Sequence, residues 1–143
     1  MFSDAQTIVV KIGSAILVDD KTHALREDWL NALAKDLSAL GDKRIVLVSS
    51  GAIALGRQRL DLLGKSLTLP QKQACAAAGQ SSLTRAYDDA LGQQNIVTAQ
   101  ALLTLNDTEN RRRWLNARST LDTLLGFGAI PIINENDLSL IHI

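Results

Sequence analysis

Arg44-Ile45-Val46-Leu47-Val48-Ser49-Ser50-Gly51-Ala52-Ile53-Ala54-Leu55-Gly56 is the stretch on which the fold turns. Its first six residues, RIVLVS, are apolar at successive rather than alternate positions, the pattern of a strand buried on both faces. A turn of small residues follows at once and leads into a helix-compatible run. Strand, small-residue turn and helix in that order form half of a parallel β–α–β unit.

Three other runs share the character of RIVLVS: Thr7 to Ile12 (TIVVKI), Ile96 to Ala101 (IVTAQA) and Ala129 to Asn134 (AIPIIN). Helical patterns separate them. Arg26 to Leu40 sets Leu30, Leu33, Leu37 and Leu40 at three- and four-residue steps, with Gly41 as a C-terminal stop. Leu83, Tyr87 and Leu91 form a second stripe, closed by Gly92. Asn106 with Glu109 resembles a capping box ahead of a helix carrying Leu115, Leu121 and Leu125, which ends near Gly126-Phe127-Gly128. Residues 61–70, with Gly64 and Pro70, read as the most mobile connection. The alternation predicts an α/β sandwich with right-handed crossovers, in one domain or one part of a domain.

Composition narrows the class. The 143 residues are 46% hydrophobic and 21% charged, a globular balance. Fifteen basic residues offset fifteen acidic ones, so no net field draws in nucleic acid or a membrane surface. The run Arg111-Arg112-Arg113 reads as a solvated helix face, having no interleaved aromatics. The single Cys75 excludes an intramolecular disulfide and, within ACAAAG, reads as a small buried hydrophobe. No apolar run approaches the roughly 20 residues that span a bilayer. No signal peptide is read at the start. The expectation is a soluble cytoplasmic protein. His23 and His142 suggest no metal pair, and no metal ligand is assigned.

Ligands of open parallel sheets bind beyond the carboxyl ends of the strands. Three strand ends carry chemistry. Lys11-Ile12-Gly13-Ser14 offers a cation and an unobstructed backbone to an anion, although a strand-edge lysine before a turn reads the same way. Ser50-Gly51-Ala52 turns backbone N–H groups and a hydroxyl toward a carboxylate or phosphate, and also suits a serine-capped helix start. Asn134-Glu135-Asn136-Asp137 suits the amine and carboxylate of a ligand, or a polar turn. Together the three ends fit a small zwitterion. Neither a Walker A loop nor GxGxxG is present.

The blocks VVKIGS, VLVSSGAIALGR, QACAAAGQSSL, NARSTLDTLL and IPIINEND resemble, in this order and from about Thr7 to Asp137, those of the bacterial glutamate 5-kinases, a branch of the amino acid kinase family. The resemblance implies a three-layer α/β/α sandwich around a mainly parallel sheet. It implies ATP-dependent phosphorylation of the side-chain carboxylate of L-glutamate, the first step of proline formation from glutamate, with ATP and Mg²⁺ as cofactors. Lys11 would contact the ATP phosphates as the catalytic cation, with Gly13 and Ser14 in the phosphate-facing loop. Ser50, Gly51 and Ala52 would hold glutamate, and Asn134 and Asp137 would bind it from the other side. Homo-oligomers and feedback inhibition by proline are common in the family.

The family's sequence runs on from INEND to a further substrate and metal motif and a nucleotide-binding half, whereas here Asp137 leads into LSLIHI. Residues 1–143 are therefore expected to be a truncated, amino-terminal substrate-binding part that lacks the nucleotide-binding half and does not turn over alone. Two alternatives stay open: a non-catalytic module that binds glutamate or proline, and another amino acid kinase acting on acetylglutamate, aspartate, carbamate or UMP.

Overall fold

The computed structural model describes residues 7–101 and 111–134. Four strands, β1 (Thr7–Ile12), β2 (Arg44–Ser49), β3 (Thr98–Ala101) and β4 (Ile130–Asn134), form one parallel sheet in the order β1-β2-β4-β3. The helices are α1 (Ser14–Leu17), α2 (Glu27–Ala39), α3 (Ala52–Arg59), α4 (Leu69–Gly92) and α5 (Arg111–Gly126).

The path of the chain explains the layers. From β1 to β2 to β3 it steps one way across the sheet, and α2, α3 and α4 pack on one face. There Ile12, Ile45, Leu47, Ile130 and Ile132 meet Leu30, Leu37, Leu55, Leu83, Tyr87 and Leu91. From β3 the chain steps back to β4, and a right-handed crossover then puts the connecting helix on the other face. There Leu121 and Leu125 of α5 pack with Val46, Val48, Ala101 and Ile133. The result is the expected α/β/α sandwich.

Several boundaries and faces differ from the sequence reading. β3 begins at Thr98 rather than Ile96, since Ile96 joins the helical core and Val97 is 68% exposed. Leu115 does not share the buried stripe of α5 and is exposed. Among the described residues β1 is an edge strand, buried on one face only; Thr7, Val9 and Lys11 are exposed on the other. The stretch 61–70 is not wholly a connection. Thr68 accepts from the Gln71 N–H at 3.3 Å and donates its own N–H to Gln71 Oε1 at 2.8 Å, a capping box that starts α4 with Pro70 in its first turn. The capping box proposed at Asn106 and Glu109 lies outside the described residues.

Within ACAAAG, Cys75 and Gly79 pack closely on α3. A Cβ on Gly79 would overlap the carbonyl oxygen of Ala52, and a Cβ on Gly56 would overlap that of Cys75. Paired glycines thus let the backbones of α3 and α4 touch, and Cys75 is fully buried beside them. This contact fixes where α3, and the turn preceding it, stands relative to the sheet.

Candidate functional site

The carboxyl ends of three strands come level. Register pairs Ile12 with Ser49 and Ser49 with Asn134, so the turns after β1 and β2 and the last residue of β4 lie side by side. Ser50 is tied to β1: its N–H donates to the Ile12 carbonyl at 3.0 Å, and its hydroxyl reaches the same oxygen at 3.4 Å. Gly51 follows at φ 111°, the N-terminal cap of α3, in a conformation that L side chains rarely adopt. A Cβ there would also press on Leu17 Cδ2 at 3.3 Å. The Ser-Gly-Ala turn is therefore dictated by backbone geometry as well as by any ligand. Ala52 is fully buried and contributes backbone rather than side chain.

A buried hydroxyl relay holds this turn from behind. Ser49 Oγ donates to the Ser50 carbonyl at 2.9 Å, so the 2.7 Å contact between Ser49 Oγ and the Tyr87 hydroxyl has Tyr87 as donor. Burial pushes the Tyr87 phenol up to about 12, because the phenolate would be desolvated.

Asn134 is held from the same helix. Its Nδ2 donates to Gln80 Oε1 at 2.8 Å. Gln80 in turn donates to Gln100 Oε1 at 2.9 Å, which also accepts from the Thr84 hydroxyl at 3.1 Å. Gln80, Thr84 and Tyr87 fall on one face of α4, at helical steps of four and three.

Ser14, Ser50 and Gly51 line one cleft of about 260 Å³, together with His23, Ile53, Ala54 and Arg57. The sequence shows no metal partner for His23 and no other mark of a role. Here its backbone is left-handed, φ 56°, and its Nδ1 is buried with no hydrogen-bond partner among the described residues. The turn before it is fixed by Asp19, whose carboxylate accepts from the N–H groups of Lys21 (2.9 Å) and Thr22 (3.0 Å). The Thr22 and Lys21 amides hold the Asp19 carboxyl below its ordinary value. Arg57, also lining the cleft, donates to the carbonyl of Lys65 at 2.7 Å.

Lys11 and Asn134 do not line this cleft. Lys11 is exposed, on the face of β1 away from α4. Gly13 is extended, with φ −80° and ψ 153°, and nothing lies within 4 Å of where its Cβ would be; what it leaves is open space rather than an unusual fold. Asp137 lies outside the described residues. Among the described residues no group of three or more His, Cys, Asp or Glu side chains converges as a metal site, and no step is assigned to a protein-held metal. No helix among them is long and apolar enough to cross a membrane.

This sheet order, with two polar strand-end loops on a common helix, belongs to the amino acid kinase family: the family's model matches residues 6–141, and the chain is a member. Within that family its similarity is to glutamate 5-kinases. It is 57% identical over 137 residues to the glutamate 5-kinase of Ruegeria sp. (strain TM1040), covering 94% of this chain and 37% of the relative. It is 56% identical over 139 residues to that of Caulobacter vibrioides (strain NA1000 / CB15N), covering 95% and 37%. The chain thus spans little more than a third of the length of the curated relatives it matches. Among solved structures, the isopentenyl phosphate kinase of T. acidophilum in its product complex superimposes with a TM-score of 0.60 over 90% of this chain and 54% of that one. At 13% identity that likeness concerns the fold alone.

Proposed function

We propose that this chain forms the substrate-binding side of an enzyme that phosphorylates the side-chain carboxylate of L-glutamate with ATP. The observation carrying this reading is the similarity to glutamate 5-kinases at 57% identity across 94% of the chain. The geometry supports it. Ser50 supplies a hydroxyl and Gly51 a backbone N–H at the mouth of a cleft sized for a small molecule. Asn134, level with them on β4, supplies a fixed carboxamide, and Asp137 completes the set as partner of the ligand's ammonium group.

Residues 1–143 are read as the amino-terminal part of the kinase domain. The nucleotide-binding half, the proline inhibition and the homo-oligomer belong to the whole protein. Lys11, Gly13 and Ser14 suit ATP phosphates, because the exposed lysine and the open backbone beside Gly13 leave room for an anion. Mg²⁺ would arrive with the ATP and neutralise phosphate charge. A side-chain carboxylate with a pKa near 4.3 is ionised at neutral pH, so the reaction needs no general base. What remains for the protein is to hold that carboxylate in line with the γ-phosphoryl group and to shield developing charge.

Calorimetric titration of the folded chain with L-glutamate, then with proline and Mg-ATP, tests the reading. Saturable glutamate binding abolished by Ser50→Ala or Asp137→Ala is expected. A folded chain that binds another amino acid in preference to glutamate or proline would overturn it.

A further inference from the structure

We infer that Ser49 and Tyr87 are positioning residues that aim the Gly51 N–H at the ligand cleft; the ligand side of this inference rests on the glutamate reading above. Ser50 and Gly51 share one trans peptide, in which the carbonyl and the N–H point opposite ways. Whatever holds the Ser50 carbonyl therefore sets the direction of the Gly51 N–H. Ser49 Oγ holds that carbonyl at 2.9 Å and meets the Tyr87 hydroxyl at 2.7 Å. Each hydroxyl has one proton, and only one arrangement uses both: Tyr87 donates to Ser49, and Ser49 donates to the carbonyl. The reverse would leave the Tyr87 proton without an acceptor among the described residues and set two oxygens together at 2.9 Å.

A glycine at position 51 makes such a hold necessary. Turning the peptide over would take φ of Gly51 from 111° to about −70°, and glycine accepts both. The turned peptide would put a carbonyl oxygen where the N–H now stands, and a place for an anionic oxygen would become one that repels it. The relay chooses between the two. Ser49 and Tyr87 are fully buried, and without the carbonyl the Ser49 proton would have no acceptor in a place where an unmade bond is expensive. On the other side of the peptide, Gly51 is a buried residue lining the cleft with Ser14 and Ser50, and its N–H has no acceptor among the described residues. That donor is left for a ligand oxygen, a carboxylate on the glutamate reading, and it is oriented before the ligand arrives. Ser49 and Tyr87 do not line the cleft, so they act through the peptide and not by touching the ligand.

The test reads the peptide itself. At the φ of Gly51 seen here, one of its two Hα atoms lies nearly anti to the amide proton, so the two three-bond HN–Hα couplings are widely unequal. After the half-turn they become nearly equal. In the ¹³C,¹⁵N-labelled 143-residue chain, unequal couplings are expected. Replacing both relay residues, Ser49→Ala with Tyr87→Phe, removes the hold without leaving a buried hydroxyl unpaired, so the fold should persist by backbone spectra. In that variant the two couplings should draw together, and in Tyr87→Phe alone they should lie between. Nearly equal couplings in the unsubstituted chain, or couplings unchanged in the double variant, would overturn the inference. On the ligand side, the double variant should bind L-glutamate about tenfold more weakly, the order of one hydrogen bond. Adding Tyr87→Phe to Ser49→Ala should cost no further affinity, whereas two independent structural losses would add. A chain whose couplings follow the relay but which binds no glutamate would overturn the glutamate reading and leave the positioning role standing.

Discussion

Substituting Gly79 by alanine should separate α3 from α4, and its size can be worked from the contacts. Helix propensity alone favours the change, by up to about 1 kcal/mol in a helix interior. Packing opposes it. The added methyl would overlap the Ala52 carbonyl oxygen and lie 2.6 Å from Gly56 N, both of them backbone atoms of α3 that no rotamer change moves aside. Overpacking a core that can adjust costs about 1–3 kcal/mol. With backbone as the obstacle the cost belongs at or above the top of that range, leaving a net loss of about 2 kcal/mol or more. Gly92 is the internal control, for it ends the same helix and nothing lies within 4 Å of its missing Cβ. Gly92→Ala should gain up to about 1 kcal/mol. At a few degrees per kcal/mol for a domain of this size, the two variants should melt about 10 °C apart in parallel thermal unfolding. The glutamate affinity of the less stable one should also fall, because α3 carries the Ser50–Ala52 turn with it. A Gly79→Ala chain that melts at or above the unsubstituted one would refute the backbone contact and the reasoning built on it.

Two further substitutions probe the supports of the site and the sheet edge. Tyr87→Phe deprives Ser49 of its donor and should cost about 1 kcal/mol in urea unfolding. The same tyrosine carries a pH signature. Its folded pKa is raised from 10.0 to about 12, so the stabilisation is complete below about pH 10 and is lost as pH climbs from 10 toward 12. Because the chain has one tyrosine, tyrosinate absorbance reads Tyr87 directly. A midpoint near 10 in the folded protein would contradict the buried relay. Val9→Lys tests the edge strand: Val9 is 63% exposed on β1, which pairs only with β2 among the described residues. A lysine there should lower concentration-dependent self-association in sedimentation while changing stability by no more than about 0.5 kcal/mol. Undiminished association would place the sticky surface elsewhere.

Much of the fold could be read from the sequence because both-face burial leaves a simple mark. RIVLVS and AIPII are apolar without alternation, and they are the two central strands. TIVVKI looks alike, yet belongs to an edge, because Val9 puts an apolar residue where solvent lies and hides the alternation that Thr7 and Lys11 would have betrayed. Pro70 read as loop although Thr68 and Gln71 spell a capping box around it. At the site, Ser50 and Gly51 were legible because strand, turn and helix are contiguous. Their supports were not. Tyr87 meets Ser49 across 38 residues and Gln80 meets Asn134 across 54, and nothing local marks such pairs. The polar stripe Gln80-Thr84 lay beside the apolar stripe Leu83-Tyr87-Leu91, which drew the helix reading to itself.

These supports divide the site unequally. On the α4 face of the sheet, each ligand-side group is pinned twice. Ser50 is held by its N–H to β1 and by its carbonyl through Ser49 to Tyr87. Asn134 is held by strand register and by Gln80. Lys11 stands exposed on the opposite face of β1. A carboxylate that must be aimed needs rigid partners, because misplacement by an ångström is costly in rate. A phosphate-bound cation is better left on a long side chain that can follow a moving charge. On the proposed reading, the groups backed by α4 fall on the glutamate side and Lys11 on the phosphate side. Changes in α4 should then alter glutamate affinity far more than nucleotide affinity, and changes at Lys11 should do the reverse.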